Sequence, residues 1–483
     1  MNNNNIPFDT KNRETTSRKR IFLGILSGIG FNINYIIGQD AFNPGNIWIL
    51  VQSPGITLVL YFVGFLISLL GSFVYIELGI RSLPSGIGEQ KYISDAFYPK
   101  INFGHVFSFV AIFIMFPSII VAESYNSAQY LLYCFRRNLN IDWITMIIAM
   151  TILFVITSYQ IYSNRVSIFI NQALACFKIL ILLIISTVGL VKLRTNSFNW
   201  NNIFNASFDF GAFGRGLIKV LLTYEGWNNI NYLIGEFNPR PDNLQYPSII
   251  LKYSSPISVC ITFIICFLSN AAFITVVGYN PNYSTYNEST PMPMRFGQEI
   301  FGEPGKNFMS LLVSISTFGC VSALIFTYSR IIKYASETGF IPSLFRDYNR
   351  NLNTLVNQLC AQFLYCFILS FIFLIKMDYN ISDFLSGASQ YAFIIYHGAS
   401  ALCLYIIRIR LRDTNPRFSI SIYMVIIYLF IIIFLIIALL VPPRDGSYDY
   451  LISYCISWVA IALGIIIWDI RNRIKNQGPN IEI

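Results

Sequence analysis

Four ionisable side chains lie within or beside apolar stretches of this sequence. Lys178 lies in ACFKILILL, Glu123 in VAESYNSAQY, Asp40 in IIGQDAFNPG and Glu225 in YEGWNNINY. A charge at the centre of a bilayer costs roughly 2.5 to 3.5 kcal/mol on insertion scales, so such a residue needs a partner, a cavity or a ligand. The chemistry that they indicate is the binding of charged groups.

The segment GIGFNINYIIGQDAFNPG, residues 28–45, is interrupted by glycines, polar residues and an acid. A bilayer offers no partner for unpaired backbone groups, so a helix normally unwinds at membrane depth only around a solvated cavity or a bound ligand. The N–H groups at such a break suit a carboxylate, and its carbonyl groups suit an ammonium. A molecule that carries both groups would fit the break.

The composition is that of a polytopic membrane protein. Of 483 residues, 55% are hydrophobic and only 12% are charged, which no compact soluble shape could hide. The net charge of +9 comes from Lys and Arg in short loops, so it indicates membrane topology rather than nucleic-acid binding. The nine cysteines form no CxxC, and His105 and His397 are far apart. We therefore expect no enzyme, metal site or cofactor, and we place both histidines at or near helix ends as structural residues.

Reading about 20 apolar residues as one span predicts an all-α fold with 12 transmembrane helices. The spans are expected near residues 21–50, 56–80, 102–134, 142–162, 165–193, 213–237, 251–277, 306–332, 355–376, 381–405, 418–441 and 449–470. Residues 1–20 are predicted to be a disordered tail, residues 21–470 the membrane domain, and residues 471–483 a second tail.

The loop charges orient the chain in the bilayer. With the N-terminus in the cytoplasm, about 22 Lys and Arg lie inside and about 10 outside, so both termini are predicted to be cytoplasmic. The glycosylation motifs at Asn205, Asn282, Asn287 and Asn380 then all fall outside, which favours the plasma membrane or the vacuolar membrane of a eukaryotic cell.

Four motifs in order resemble one family. IIGQDAFNPG, ELGIRSLPSGIGEQKYI, YEGWNNINYLIGEFNP and SISTFGCVSALIFTYSRIIKYASETGFIP are similar to helix 1, the loop after helix 2, helix 6 and helix 8 of amino-acid permeases. These belong to the amino acid-polyamine-organocation superfamily, and the closest forms are those of fungal L-type and methionine permeases. The resemblance implies a LeuT-type fold of two inverted five-helix repeats, about residues 21–193 and 213–405. Helices 1 and 6 would be broken, and residues 418–441 and 449–470 would be peripheral helices.

The resemblance also implies a substrate site at the two breaks. The backbone around Ile36, Gly38, Gln39 and Asp40, with carbonyls near Tyr224 and Glu225, would hold an amino-acid headgroup. Gly226 would allow close approach, and Trp227 would form a wall or gate. Packing alone is the alternative at Gly38, Gly226 and Trp227.

Lys178 would take the place of the sodium ion of sodium-coupled relatives and would carry a proton, since burial lowers the pKa of a lysine. Alternatively, it is a fixed charge that locks helix 5 to helix 1. The expected partners are an amino acid or amine substrate, a proton and the lipid bilayer, without nucleic acid or an accessory subunit.

Asp40, Glu123 and Glu225 depart from the family pattern, which has small or amide residues there. Three carboxylates near one cavity would repel a substrate carboxylate and favour a cationic substrate, such as a basic amino acid or a polyamine. The alternatives are that Asp40 pairs with Lys178, that Glu225 is protonated, or that the alignment of helix 3 slips. A secondary active permease is the preferred interpretation, with a neutral amino-acid or methionine permease or exchanger, or a non-transporting sensor, as alternatives.

The topology predicts that Asn282 and Asn287 are glycosylated when the protein is made in a eukaryotic host. The loop that bears them would then lie on the lumenal side during synthesis. Removal of both sites, Asn282→Gln with Asn287→Gln, should reduce the mobility shift that a glycosidase causes on a gel. Cleavage of the N-terminal tail by external protease in right-side-out vesicles would contradict the assignment of sides.

Overall fold

The structure is a computed structural model that describes residues 8–83, 87–97, 102–135, 142–206, 209–237, 245–279, 290–374, 380–410, 418–438, 440–441 and 449–477. Within these ranges the regular elements are helices, and no strand occurs. Asn282 and Asn287 lie outside them, as do residues 1–7 and 478–483 of the predicted tails.

Helices α1 to α16 of the described chain span Phe8–Ile36, Gly45–Val51, Pro54–Arg81, Gly88–Phe97, Gly104–Val110, Phe116–Phe135, Asp142–Tyr162, Asn164–Lys192, Phe210–Tyr224, Asn229–Leu233, Gln245–Val277, Met292–Glu337, Val356–Ser370, Ile381–Arg410, Ile422–Ala438 and Asp449–Gln477. Among them, 8 helices are long and apolar enough to cross a membrane, with α5 and α6 counted as one. Three shorter apolar helices accompany them, at Ile21–Ile36, Val356–Ser370 and Ile422–Ala438. The predicted class, an all-helical polytopic membrane protein, is confirmed.

The N-terminal boundary differs from the expectation. The predicted disordered tail, residues 1–20, is helical from Phe8 onward, where α1 begins. Its sequence from residue 11 onward is rich in Lys and Arg, which are good helix formers, and the helix continues into the apolar sequence that follows.

Two of the predicted spans are each divided between two helices. In span 21–50, α1 ends at Ile36, a 3₁₀ turn occupies Asp40–Phe42, and α2 begins at Gly45. In span 213–237, α9 ends at Tyr224 and α10 begins at Asn229. Gly226 in this second break has a φ of 110°, which a residue with a Cβ rarely adopts.

The side chain of Asn32 on α1 joins the two breaks. Its amide Nδ2 donates to the backbone oxygen of Trp227 at 2.9 Å, and its Oδ1 accepts from the backbone N–H of Ile230 at 3.0 Å. A break inside a membrane leaves such groups without helical partners. One buried amide therefore satisfies a carbonyl and an N–H of the second break and fixes α1 beside it.

The elements around the breaks form the rest of the bundle. Helix α1 packs against α8, α11 and α12, and α6 packs against α12 and α14. The hydroxyl of Ser127 on α6 donates to the backbone oxygen of Ser314 on α12 at 2.9 Å, and Ser314 returns a bond of 2.8 Å to the backbone oxygen of Ser127. Small hydroxyl residues thus hold α6 and α12 close together.

A π-helical turn, Ala111–Met115, joins α5 to α6. Such turns loosen the α-helical pattern of backbone hydrogen bonds. The hydroxyl of Tyr328 on α12 donates to the carbonyl of Ile112 within the turn at 2.6 Å. The turn is therefore held by a neighbouring helix.

Gly226→Ala should lower the stability of the folded protein by roughly 2 kcal/mol or more, because strain and overpacking add. A Cβ at this position would lie 2.1 Å from Cδ1 of Tyr35, and the positive φ would be strained. The measurement is the thermal unfolding midpoint of the purified protein in detergent.

The matched control is Gly235→Ala in the same region, where a Cβ would have no neighbouring atom within 4 Å. It should leave the midpoint near that of the unmodified protein. Equal midpoints for both variants would contradict the structure at the second break.

Candidate functional site

A small cavity lies between the two breaks. Its volume is about 30 Å³, which is room for about two water molecules. Five of the predicted substrate residues line it, namely Ile36, Gly38, Asp40, Glu123 and Glu225. The structure therefore brings the residues of the first break, α6 and the second break together around one space.

The other four predicted substrate residues, Gln39, Tyr224, Gly226 and Trp227, are not in the described lining of this cavity. The hydroxyl of Tyr224 donates to the backbone oxygen of Tyr61 at 3.1 Å. The ring of Trp227 lies edge-on to Tyr75 and is tilted against His397, with centroid distances of 4.9 and 5.1 Å. Tyr224 and Trp227 thus pack behind the second break.

Two buried carboxylate oxygens among the described residues have no hydrogen-bond partner. They are Oε2 of Glu123 and Oε1 of Glu225, and both residues line the small cavity. Oε2 of Glu123 would lie 3.3 Å from a Cβ placed on Gly38, so a side chain there would require the carboxylate to shift slightly. A buried carboxylate oxygen without a donor is costly, and a ligand with N–H groups would satisfy it.

Lys178 satisfies the carbonyl end of α1. Its side chain is fully buried, and its Nζ donates to the backbone oxygens of Asn34 and Ile37, at 2.6 Å each. The carbonyl of Ile37 also accepts from the hydroxyl of Ser316 at 3.2 Å, and that of Tyr35 accepts from Sγ of Cys320 at 3.0 Å. The carbonyl groups freed by the break are therefore paired with side chains from α8 and α12.

The proposed pairing of Asp40 with Lys178 does not occur in the structure. Both residues are described, and no ion pair joins them, since the ammonium is directed at the helix carbonyls. Asp40 faces the cavities instead.

A larger cavity of about 310 Å³ adjoins the small one, and Asp40, Leu222 and Gln390 line both. This volume is near the lower end for small-molecule sites. Lys219 on α9 and Asp383 on α14 add charges to its wall. Neither residue was singled out in the sequence, because only the fold brings α9 and α14 to the first break.

The position of His397 corrects the sequence prediction. It was placed at or near a helix end, but it lies within α14 and is 4% exposed. Its Nδ1 is 2.7 Å from the hydroxyl of Tyr75, and its Nε2 is 3.4 Å from Oε2 of Glu225. A lone histidine in an apolar stretch gave no sign of these partners, because they come from other helices.

The sequence is similar to several known transporters. It is 27% identical over 468 residues to the high-affinity methionine permease of Saccharomyces cerevisiae, covering 92% of this chain and 79% of that one. It is 25% identical over 459 residues to the b(0,+)-type amino acid transporter 1 of Mus musculus, covering 94% and 88%. It is also 24% identical over 419 residues to the large neutral amino acids transporter small subunit 2 of Mus musculus, covering 84% and 74%.

A family model described as "Amino acid permease" also matches this chain, over residues 23–468. That range includes both helix breaks, Lys178 and the cavity carboxylates. The predicted superfamily membership is confirmed, and it is membership of a transporter family rather than an enzyme family. The chain belongs to the amino acid permease family and is an integral membrane protein.

Proposed function

We propose that this permease is a secondary active transporter of a cationic amino acid or a polyamine. The observation that carries the proposal is the pair of unpartnered carboxylate oxygens, Glu123 Oε2 and Glu225 Oε1, beside the same cavity as Asp40. An amine offers N–H donors and a positive charge, so it would satisfy both oxygens and offset part of the local negative charge.

The backbone at the first break supports this preference. An amino-acid carboxylate would use N–H groups near Gln39, but the carboxylate of Glu123 already lies close to the backbone of Gln39. A second anion at this position would meet a carboxylate at short range and be repelled. The alternative that Asp40 is neutralised by Lys178 is not supported, because Lys178 bonds to the carbonyls of α1.

A second candidate is a neutral amino-acid or methionine permease or exchanger. The names of the similar methionine permease and of the large neutral amino acids transporter favour it. For this chain it requires that Glu225 or its neighbours bind protons in place of a cationic ligand. A sensor of the same fold that binds amino acids without transporting them is a third candidate.

The proposed architecture is 12 spans, with inverted repeats at about residues 21–193 and 213–405 and peripheral helices at 418–441 and 449–470. Support comes from the positions of the two breaks, because each break lies in the first span of its repeat. In alternating access, the helices that contain or adjoin the breaks would rock against α6, α7, α12 and α13 around the small cavity. The small volume of that cavity requires such movement before a substrate enters.

We place both termini in the cytoplasm and the protein in the plasma membrane or the vacuolar membrane, with no accessory subunit. The excess of Lys and Arg in the loops assigned to the inside supports the orientation. On this assignment, the larger cavity faces outward, and the C-terminal ends of α3 and α12 face the cytoplasm.

The substrate prediction is tested by uptake into proteoliposomes of lysine, arginine, a polyamine, leucine and methionine. The cationic compounds should compete best for the site, since they complement its carboxylates. Asp40→Gly with Glu225→Gly should shift the preference toward the neutral amino acids by about tenfold, as expected for loss of a buried charge partner.

Asp383→Asn is the matched control, because Asp383 lines only the larger cavity in the described structure. It should keep the preference of the unmodified protein. Best uptake of methionine or leucine by the unmodified protein would reject the cationic substrate, and binding without uptake would favour the sensor.

Lys178 is proposed as the coupling residue that takes the place of a bound cation at the first break. Lys178→Ala leaves the carbonyl of Asn34 without this donor, at a cost of about 1 to 3 kcal/mol, whereas the carbonyl of Ile37 keeps the hydroxyl of Ser316. Because the charge that replaces a bound cation is also lost, the substitution should reduce pH-driven accumulation more than it reduces the amount of protein in the membrane. Accumulation and membrane protein are compared in the same vesicles, and equal losses would show that Lys178 is only structural.

A further inference from the structure

A buried carboxylate beside α10, Glu89, is fully supplied with hydrogen-bond donors. Its Oε1 accepts from the hydroxyl of Tyr75 at 2.8 Å and from Nδ2 of Asn228 at 3.2 Å, and its Oε2 accepts from the hydroxyl of Tyr232. Three donors thus supply both oxygens of a carboxylate that has no exposure. The single hydroxyl proton of Tyr75 is therefore committed to Glu89.

Because the proton of Tyr75 is donated to Glu89, the tautomer of the neighbouring His397 ring is also fixed. The hydroxyl of Tyr75 is also 2.7 Å from Nδ1 of His397, and its oxygen is then the acceptor of that bond. Nδ1 must therefore carry a proton and donate it. Oε1 of Glu89, 3.9 Å from Nδ1, favours the same tautomer electrostatically.

The opposite side of the ring faces a second carboxylate. With Nδ1 protonated, Nε2 of a neutral His397 is an acceptor, and it lies 3.4 Å from Oε2 of Glu225. Two acceptors at this distance would repel each other in a buried site. One proton between them, on Nε2 or on Oε2, turns the contact into a hydrogen bond.

We propose that Glu225 and His397 together form a proton-binding site, and that this proton is the one coupled to transport. The inference rests on the proposed function and names the residues that would bind the coupling ion. Lys178 then takes the place of a bound cation without carrying the coupled proton, because its Nζ donates to two backbone carbonyls and it is not in the described lining of the small cavity. The Glu225–His397 pair, by contrast, contains a carboxylate that lines the small cavity.

Titratable groups on several elements face the pair. They are Tyr75 on α3, Glu89 on α4, Tyr232 on α10, Tyr428 on α15 and, around the small cavity, Tyr35 on α1, Asp40 at the first break, Glu123 on α6 and Cys320 on α12. Trp227 and Phe393 cover the imidazole ring. A second cavity of about 20 Å³, lined by Glu225, Trp227 and His397, adjoins the ring, so both members of the pair border space for a water molecule.

The pair also joins the second break, which moves in the proposed alternating access, to α14. Glu225 belongs to the break between α9 and α10, and His397 belongs to α14. The proton would be taken from water in the small cavity while the two are in contact. It would be released to water on the other side when α10 moves away from α14 and leaves Glu225 alone. The bond that forms and breaks is the shared N–H or O–H bond.

The first test reads the imidazole directly. The chain has two histidines, so ¹⁵N-histidine labelling of the full protein gives two ring signals, and His105→Gln identifies that of His397. We expect a proton on Nδ1 of His397 throughout. The second proton, shared with Glu225, should be lost as the pH rises, and pH-driven uptake should be lost over the same pH range. A neutral ring protonated only on Nε2, or a ring state that does not change where uptake does, would overturn the proposal.

The second test is transport in proteoliposomes. His397→Gln keeps a polar side chain without an ionisable ring, so an inward proton gradient should drive at least about fivefold less accumulation, while counterflow exchange is retained. His105→Gln is the matched control, since His105 bonds to the backbone of Thr338 away from the pair. Gradient-driven accumulation by His397→Gln at the level of this control would overturn the proposal.

The outcomes separate this proposal from the proposed function. If the unmodified protein takes up none of the amino acids or amines tested, the transport proposal fails, and the ring signals still decide whether the pair binds a proton. If uptake occurs but does not respond to the proton gradient, the permease assignment stands and coupling at this pair is wrong.

Discussion

The structure depends on supplying partners to backbone groups that two broken helices leave unpaired where no water can replace them. Lys178 answers this need at the end of α1, and Asn32 answers it at the second break. Both donate from fully buried side chains, so each stabilises a break whose backbone groups lipid could not satisfy. The same partners bind α8 to α1 and α1 to α10. The two breaks therefore have a defined structure that is fixed by hydrogen bonds rather than a loosely packed coil.

This solution leaves an excess of negative charge at the centre. The ammonium of Lys178 is used by the carbonyls, so Asp40, Glu123 and Glu225 surround the cavity without an ion pair to it in the described chain. Each ionised carboxylate there must be compensated by a ligand or by a proton. A cationic substrate and a protonated Glu225–His397 pair would each reduce this excess of negative charge. They act on different carboxylate oxygens, because His397 meets Oε2 of Glu225 while Oε1 remains open.

The sequence was sufficient for the fold class, the family and five of the residues that line the small cavity, for identifiable reasons. Apolar length predicts helices, and the glycine-interrupted motif of residues 28–45 indicates where one must break. Lys178 was conspicuous because a charge deep in an apolar stretch is costly, and the structure gives it buried acceptors on α1. His397 was misjudged because its partner Tyr75 is 322 residues away in the chain. No local pattern predicts contacts at such separations, and the same holds for the packing of Trp227 away from the small cavity.

The π turn at Ala111–Met115 determines the direction in which each later side chain of α6 points. A π turn takes up one more residue than the α-helical turn that it replaces, and each residue of an α-helix turns the chain by about 100°. Glu123 and Ser127 are therefore rotated by that angle relative to an unbroken continuation of α5. A version of this helix shorter by one residue within the turn would direct a different side chain at Gly38 and a different one at Ser314. Numbering from the start of the helix would consequently match the wrong residues across relatives that differ in this turn, although both helices would look alike in outline.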